Sequence, residues 1–293
     1  MAFLSEFLQQ LISGVAVGCI YALVALGFVL IFKATDVVNF AQGEVMMIGA
    51  FFGLTFIDIW HLPYWLGAIL SVFCMAVVGA FLNRVLLRPL AGQSILAIIM
   101  VTLGLSILLR AGASVIWGPE TFTFETPFSR KVVRFGGLVA SQEHLAVIVI
   151  TTILVIGLFA FFRYSKLGIA MQATSENQLA AYYMGIPVKR IHSQIWALGA
   201  ATAGVAGIML APIAFVHVNM GFLGLKAFPA AVLGGFGSIP GAIVGGIIIG
   251  VVESMAVLYL PEGFNNVAAY ILLLFVLVVR PQGLFGVETK RRV

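Results

Sequence analysis

Glu44 closes the segment Asn39-Phe40-Ala41-Gln42-Gly43-Glu44, which puts two amides and a carboxylate at the head of an otherwise apolar run. A carboxylate at mid-depth in a bilayer costs on the order of 3 kcal/mol, so it usually faces a cavity, a counter-ion or a partner. Gly43 permits a helix break beside it. Asn39, Gln42, Gly43 and Glu44 are therefore candidates for lining a polar pathway. The plainer alternative is that the amides cap a helix and Glu44 is a satisfied structural acid. Arg110 and Glu253 also stand inside apolar runs, toward matching ends of them. Their matched depth predicts an ion pair that lowers the cost of burying both. The run Gly234-Gly235-Phe236-Gly237-Ser238-Ile239-Pro240-Gly241 breaks any helix. Backbone groups freed there must face protein or water rather than lipid, which adds Gly235, Gly237, Ser238 and Pro240 to the pathway candidates.

The longest polar stretch between strong apolar runs is 163–192, and it carries helix punctuation. Thr174 or Ser175 can cap a helix start, and Glu176 suits its first turn near the positive end of the helix dipole. Gly185 suits the left-handed position after the helix, and Pro187 prevents continuation. The spacing predicts a short helix over about 175–184, either an amphipathic connector on the membrane surface or a docking helix for a partner.

Other chemistries lack their residues. No G-x-x-x-x-G-K-[ST] phosphate loop occurs, so the chain carries no recognisable nucleotide-hydrolysing site. No Ser/His pair, paired Asp or His-x-x-x-x-His spacing supports an intramembrane enzyme, and no histidine has a partner at metal-ligand spacing, so no metal is expected. Cys19 and Cys74 both sit in apolar runs and read as small core hydrophobes.

The elements that hold these residues follow from composition. Of 293 residues, 62% are hydrophobic and 9% charged, with a net charge of +5; the mean hydropathy is +1.13. Soluble domains carry about 25% charged residues, so a soluble enzyme, a disordered chain and a disulfide scaffold are excluded. An all-α, polytopic transmembrane bundle remains. Apolar runs cover 8–32, 37–59, 62–87, 94–117, 143–162, 193–212, 242–260 and 267–279, with a shorter stretch at 222–233. These predict about eight or nine crossings in a single transmembrane domain, residues 1–293, with Gly/Pro-broken helices. The first run, too long for a signal-peptide core, is expected to stay in the mature protein.

Basic residues orient the bundle. With segment 163–192 inside, Lys33, Arg84, Arg88, Arg163, Lys166, Lys189, Arg190, Arg280, Lys290, Arg291 and Arg292 share the cytoplasmic side, against Arg130, Lys131, Arg134 and Lys226 outside. This puts the amino terminus outside and the carboxyl terminus in the cytoplasm. The number of crossings is then odd, and 222–233 must supply the ninth as a short or broken helix. Small residues recur at four-residue spacing (Gly14, Gly18, Ala22; Gly199, Ala203, Gly207; Gly246, Gly250), which suits close helix packing. The halves correspond loosely: 39–44 precedes Arg88-Pro89 much as 234–238 precedes Arg280-Pro281.

Several segments jointly resemble the branched-chain amino acid ABC transporter permeases of the LivH type. They are Gly18-x-x-Tyr21-Ala22-Leu23-x-Ala25-Leu26-Gly27-Phe28, then Asn39-Phe40-Ala41-x-Gly43-Glu44-x-Met46-x-Ile48-Gly49-Ala50. Further on come Thr102-Leu103-Gly104-Leu105-Ser106-Ile107-Leu108-Leu109, Trp117-Gly118-Pro119 and Ala180-Ala181-x-x-x-Gly185-Ile186. The last two are Ala230-x-Val232-Leu233-Gly234-Gly235-x-Gly237-Ser238-Ile239-Pro240-Gly241-Ala242 and Val279-Arg280-Pro281-x-Gly283-Leu284. Ala180, Ala181 and Gly185 match most of the Glu-Ala-Ala-x-x-x-Gly pattern of ABC importer permeases, with Leu179 where the Glu would stand.

The resemblance implies a bacterial inner-membrane permease, half of a translocation pathway. It implies a homologous second permease of the LivM type, two cytoplasmic ATPases docked on Ser175, Glu176, Ala180, Ala181 and Gly185, and a periplasmic binding protein. ATP and Mg would reside in the ATPases, with no cofactor in this chain and no nucleic-acid partner. Substrates would be branched-chain or other hydrophobic amino acids, with urea or short amides as the alternative cargo. Recognition would rest mainly with the binding protein. An ion-coupled secondary transporter, the rival class, would need Glu44 or Glu253 as its coupling acid.

Overall fold

The computed structural model describes residues 2–286 apart from positions 91, 130, 131, 136, 137 and 262. Arg130, Lys131, Lys290, Arg291 and Arg292, used above to orient the chain, lie outside the described residues.

The chain is a bundle of helices with a single two-stranded hairpin in its described part. Helix α1 (Ala2–Thr35) runs unbroken because its 34 residues contain no proline. It stops at Asp36, which takes a left-handed φ of 54°. Short polar side chains tolerate that conformation. Helix α2 (Gln42–Leu54) follows and ends in a π turn, Thr55–Ile59. Helix α3 (Tyr64–Leu82) also ends in a π turn, Asn83–Leu87. Helix α4 (Ile95–Trp117) is capped by the Ser94 side chain and ended by Gly118 at φ 90°. The hairpin β1 (Val132–Phe135) and β2 (Leu138–Ser141) leads into α5 (Gln142–Tyr164), α6 (Lys166–Glu176) and α7 (Gln178–Tyr183). The second half holds α8 (Val188–Ala214), α9 (Gly221–Leu225), α10 (Ala227–Gly234), α11 (Ile239–Tyr259) and α12 (Phe264–Val279).

Among the described residues, seven helices are long and apolar enough to cross a membrane, and Gly221–Gly234 and Val267–Val279 are shorter apolar helices. With broad apolar exposure on its flanks, the chain is a multi-pass membrane protein. The inner layer is α1, α2 and α8, whose apolar stretches are mostly buried; α3, α4 and α5 form the periphery. Side chains such as Ile69, Ile107, Val115 and Ile153 stand open on that periphery. In water such a surface would be a severe liability, whereas lipid tails are as apolar as the side chains.

Small residues set the inner packing. A Cβ on Gly250 would sit 2.3 Å from the Gly18 backbone, and one on Gly246 2.5 Å from that of Ala22. The Gly14/Gly18/Ala22 row of α1 thus faces the Gly246/Gly250 row of α11, and the recurrence read from sequence is a packing seam. Gly49 on α2 meets Gly204 on α8 in the same way, at 2.5 Å.

The segment expected to supply a ninth crossing is two helices, α9 and α10. They start beside Gly43 and Glu44 inside the bundle: a Cβ on Gly221 would lie 2.9 Å from the Glu44 carboxylate. Fourteen residues at 1.5 Å each reach ~21 Å, less than the ~30 Å apolar core. Phe215 at φ 60° turns the chain after α8, and the Phe122–Val216 bridge fastens the connection to the loop after α4.

Candidate functional site

The acid Glu44 is completely buried and pairs with Arg110 of α4. Arg110 also lies over the Phe222 ring, its guanidinium carbon 4.0 Å from the centroid. One turn on, Lys226 pairs with Glu253 of α11, and the Tyr21 hydroxyl donates to the same carboxylate at 2.8 Å. Two cations and two anions therefore bracket the short helix α9. The expected Arg110–Glu253 pair does not form. Matched depth along two spans does not fix azimuth: the α2 and α9 starts fold into the bundle and bring Glu44 to Arg110 and Lys226 to Glu253. Glu44 Oε2 and Arg110 Nε are buried without a hydrogen-bond partner, so the Glu44–Arg110 pair leaves one acceptor and one donor unsatisfied. Glu253 is better served, with a cation on one oxygen and a phenol on the other.

The amides act locally. Asn39 Nδ2 donates to Gln42 Oε1 at 3.1 Å, and the Asn39 side chain accepts from the Ala41 amide at 3.2 Å. Gln42 Nε2 reaches Gly199 O at 3.0 Å, pinning the start of α2 to α8 about 16 Å from the α8 start. Asn39, Gln42, Gly43 and Glu44 are all buried. In this conformation none of them lines an open passage. Of the four paired charges Arg110 is the most exposed, at about one-quarter, and Glu44 is fully enclosed.

The second break lies elsewhere. Gly235 takes φ 99° and packs on the segment after α12, where Leu284 and Phe285 donate to Leu233 O and Gly234 O. Ser238 caps α11 through the Gly241 amide at 3.1 Å, with Pro240 in the first turn, where its missing N–H is harmless. No atom lies within 4 Å of a Cβ built on Gly237. Residues 39–44 and 234–241 are not in direct contact through their polar groups. Phenylalanine rings join them: Phe40 to Phe228 (5.6 Å), Phe228 to Phe236 (5.7 Å) and Phe236 to Phe32 (4.9 Å). Sequence reasoning missed this ladder, because its members are ordinary apolar residues scattered over α1, α10 and two connections.

The predicted docking helix is α7, with corrected boundaries. Ser175 and Glu176 belong to the last turn of α6, and Thr174 and Ser175 donate back to Ala170 O and Met171 O. The cap is Asn177, whose side chain accepts from the Ala180 amide at 2.9 Å. The hydroxyls were consumed by α6 itself, whose start is set by Ser165. Gly185 has φ 81°, as its place in the motif predicts. Ala181 is buried against the bundle and Ala180 is exposed, alongside Leu179, Tyr182, Tyr183 and Met184. Two ties anchor this region to α1: Gln178 Nε2 to Ala34 O at 3.0 Å, and Lys33 to Glu176 at 3.7 Å. Among the described residues no group of three His, Cys, Asp or Glu could hold a metal ion.

Comparison with known proteins places this geometry. The family described as branched-chain amino acid transport system / permease component matches residues 10–279. The high-affinity branched-chain amino acid transport system permease protein LivH of Salmonella typhimurium is 34% identical over 296 residues, covering 96% of each chain. The BraD permease protein of Pseudomonas aeruginosa, of the same description, is 34% identical, again covering 96% of each. The probable LivH permease of Methanocaldococcus jannaschii is 32% identical over 92% of this chain and 89% of its own.

Proposed function

The chain belongs to the branched-chain amino acid transport system permease family, and from that premise we propose that it is the transmembrane subunit of an ATP-driven importer for branched-chain or related hydrophobic amino acids. It is a transport component and not an enzyme. ATP and Mg belong to two ATPase subunits that dock on α7. A second, homologous permease completes the pathway, and a binding protein delivers the substrate on the opposite side. In this reading the α7 end is cytoplasmic and the amino terminus outside.

The observation that carries the reading is α7. A six-residue helix, capped at Asn177 and stopped at Gly185, presents Leu179, Tyr182, Tyr183 and Met184 outward while Gln178 and Glu176 tie its base to α1. Apolar side chains held out at the ends of the spans by such a mount call for a partner to cover them. The mount leads straight into α1, the central helix, so movement of α7 is passed to the core of the bundle. The ion-coupled alternative has no observation in its favour: Glu44 and Glu253, its two candidate acids, each face a cation inside the bundle.

The pathway in this proposal runs beside α9. Opening would draw on the breaks at 39–44 and 234–241, and the Phe32/Phe40/Phe228/Phe236 ladder offers an apolar surface to branched side chains. The test is co-purification with the ATPases and uptake of leucine by the assembled importer. Ala181→Asp should abolish ATPase association while leaving insertion intact; unchanged association and uptake would sink the docking assignment.

A further inference from the structure

A groove of about 980 Å³ lies at the α7 end, between α7, the π turn after α3, the first turns of α4 and α8, and the connection after α1. Val37, Leu87, Leu90 and Ile98 give it an apolar lining, and Arg88, Lys189 and Arg190 stand at its rim. All three cations are exposed, and among the described residues none has a carboxylate within ion-pair reach. Arg88 is held in place: it donates to Lys189 O at 2.9 Å and to Ser193 Oγ at 3.3 Å. Ser193 in turn donates to Asn83 Oδ1 in the π turn at 3.0 Å. The wider π turn is what sets this side of the groove, and such turns recur at functional positions. The groove adjoins α3 and α4, the flank where the apolar side chains of Val85, Ile95 and Leu96 are exposed.

An apolar trough, open toward lipid and headed by three unneutralised cations at the level of the helix ends, fits an amphiphile with an anionic head. We propose that the groove binds an anionic phospholipid of the adjoining leaflet. Its phosphodiester lies among Arg88, Lys189 and Arg190, and an acyl chain runs along Leu87, Leu90 and Ile98. The opposite wall is α7 itself, through Gln178, Leu179 and Tyr182. A bound lipid would therefore brace the helix on which the ATPases are proposed to dock, although lipid binding stands independently of that docking.

The test is thermal unfolding of the purified full chain in neutral detergent, titrated with phosphatidylglycerol, with phosphatidylcholine of identical chains, or with inorganic phosphate. Only phosphatidylglycerol should raise the midpoint. Lys189→Gln/Arg190→Gln, which leaves the Arg88 hydrogen bonds in place, should weaken its apparent affinity about thirtyfold. Arg163→Gln/Lys166→Gln, outside the groove, should not. Ile98→Trp, which fills the trough and keeps the cations, should give the same loss by a second route. An equal response to phosphatidylcholine or to phosphate overturns the site, as does an undiminished response in both groove variants. Repeating the titration with the ATPases bound separates a lipid from a protein occupant: a response that vanishes on their binding assigns the groove to the ATPase and overturns the proposal.

Discussion

Glu44 and Arg110 show why a buried charge is a question about its partner. Each is separated from the other by 66 positions, and each would be costly alone. Removing one partner of a buried pair typically costs 3–5 kcal/mol, because the survivor stays buried and unpaired. Replacing both by apolar residues of similar volume is often neutral. Glu44→Met should therefore destabilise the chain by about 3 kcal/mol, and Glu44→Met/Arg110→Met should recover most of the loss. Thermal unfolding in detergent checks both. Uptake by the double variant then separates roles, since a purely structural pair would leave transport near normal. Tyr21→Phe removes a hydrogen bond to the ion-paired Glu253 carboxylate and should cost about 2 kcal/mol while Lys226 keeps Glu253 paired.

Helix α7 and the α1–α11 seam carry the predictions at the next scale. A helix of six residues depends heavily on its cap, because so few backbone groups are paired internally. Asn177→Ala should cost α7 about 1 kcal/mol. Ser175→Ala, which removes only a bond back to Met171 O within α6, should be nearly silent. Hydrogen exchange of the 178–183 amides distinguishes the two variants, with faster exchange expected only in the first. In the seam, Gly250→Val has no room, since even a Cβ would lie 2.3 Å from the Gly18 backbone. The expected result is loss of folded protein on size-exclusion chromatography. Gly237→Ala is the contrasting case, with open space around it, and should fold normally. That contrast tests whether the glycines of the 234–241 break matter equally: Gly235, at φ 99°, should not tolerate alanine.

For the whole molecule, the sidedness read from basic residues leads to a labelling experiment. In intact cells, with Cys19 and Cys74 replaced, a cysteine at Tyr183 should resist a membrane-impermeant maleimide, and one at Glu120 should react. The reverse pattern would invert the proposed orientation and move the ATPase docking surface to the wrong side.

Much of this was legible in the chain itself. Apolar runs and sparse charge determine the membrane class and the spans, because spanning helices must satisfy their backbones internally and bury few charges. Gly185 acts locally, so its place after the helix follows from spacing; spacing marks Ser238 and Pro240 only as part of a helix break, and their cap and first-turn places in α11 come from the structure. Small residues at four-residue intervals foretold close packing, because that spacing lies on one helix face. What sequence could not determine is which distant groups meet. Glu44 could have faced Arg110 or another cation, and Glu253 could have faced Arg110; the choice depends on how α2 and α9 re-enter the bundle. The α7 cap moved from Ser175 to Asn177 because α6 competes for the same residues. The Phe ladder and the basic groove arise where four or five separate elements converge. Local periodicity holds no information about that convergence: the packing of small residues along α1, α8 and α11 sets it, and only the tertiary structure brings those charges and rings together.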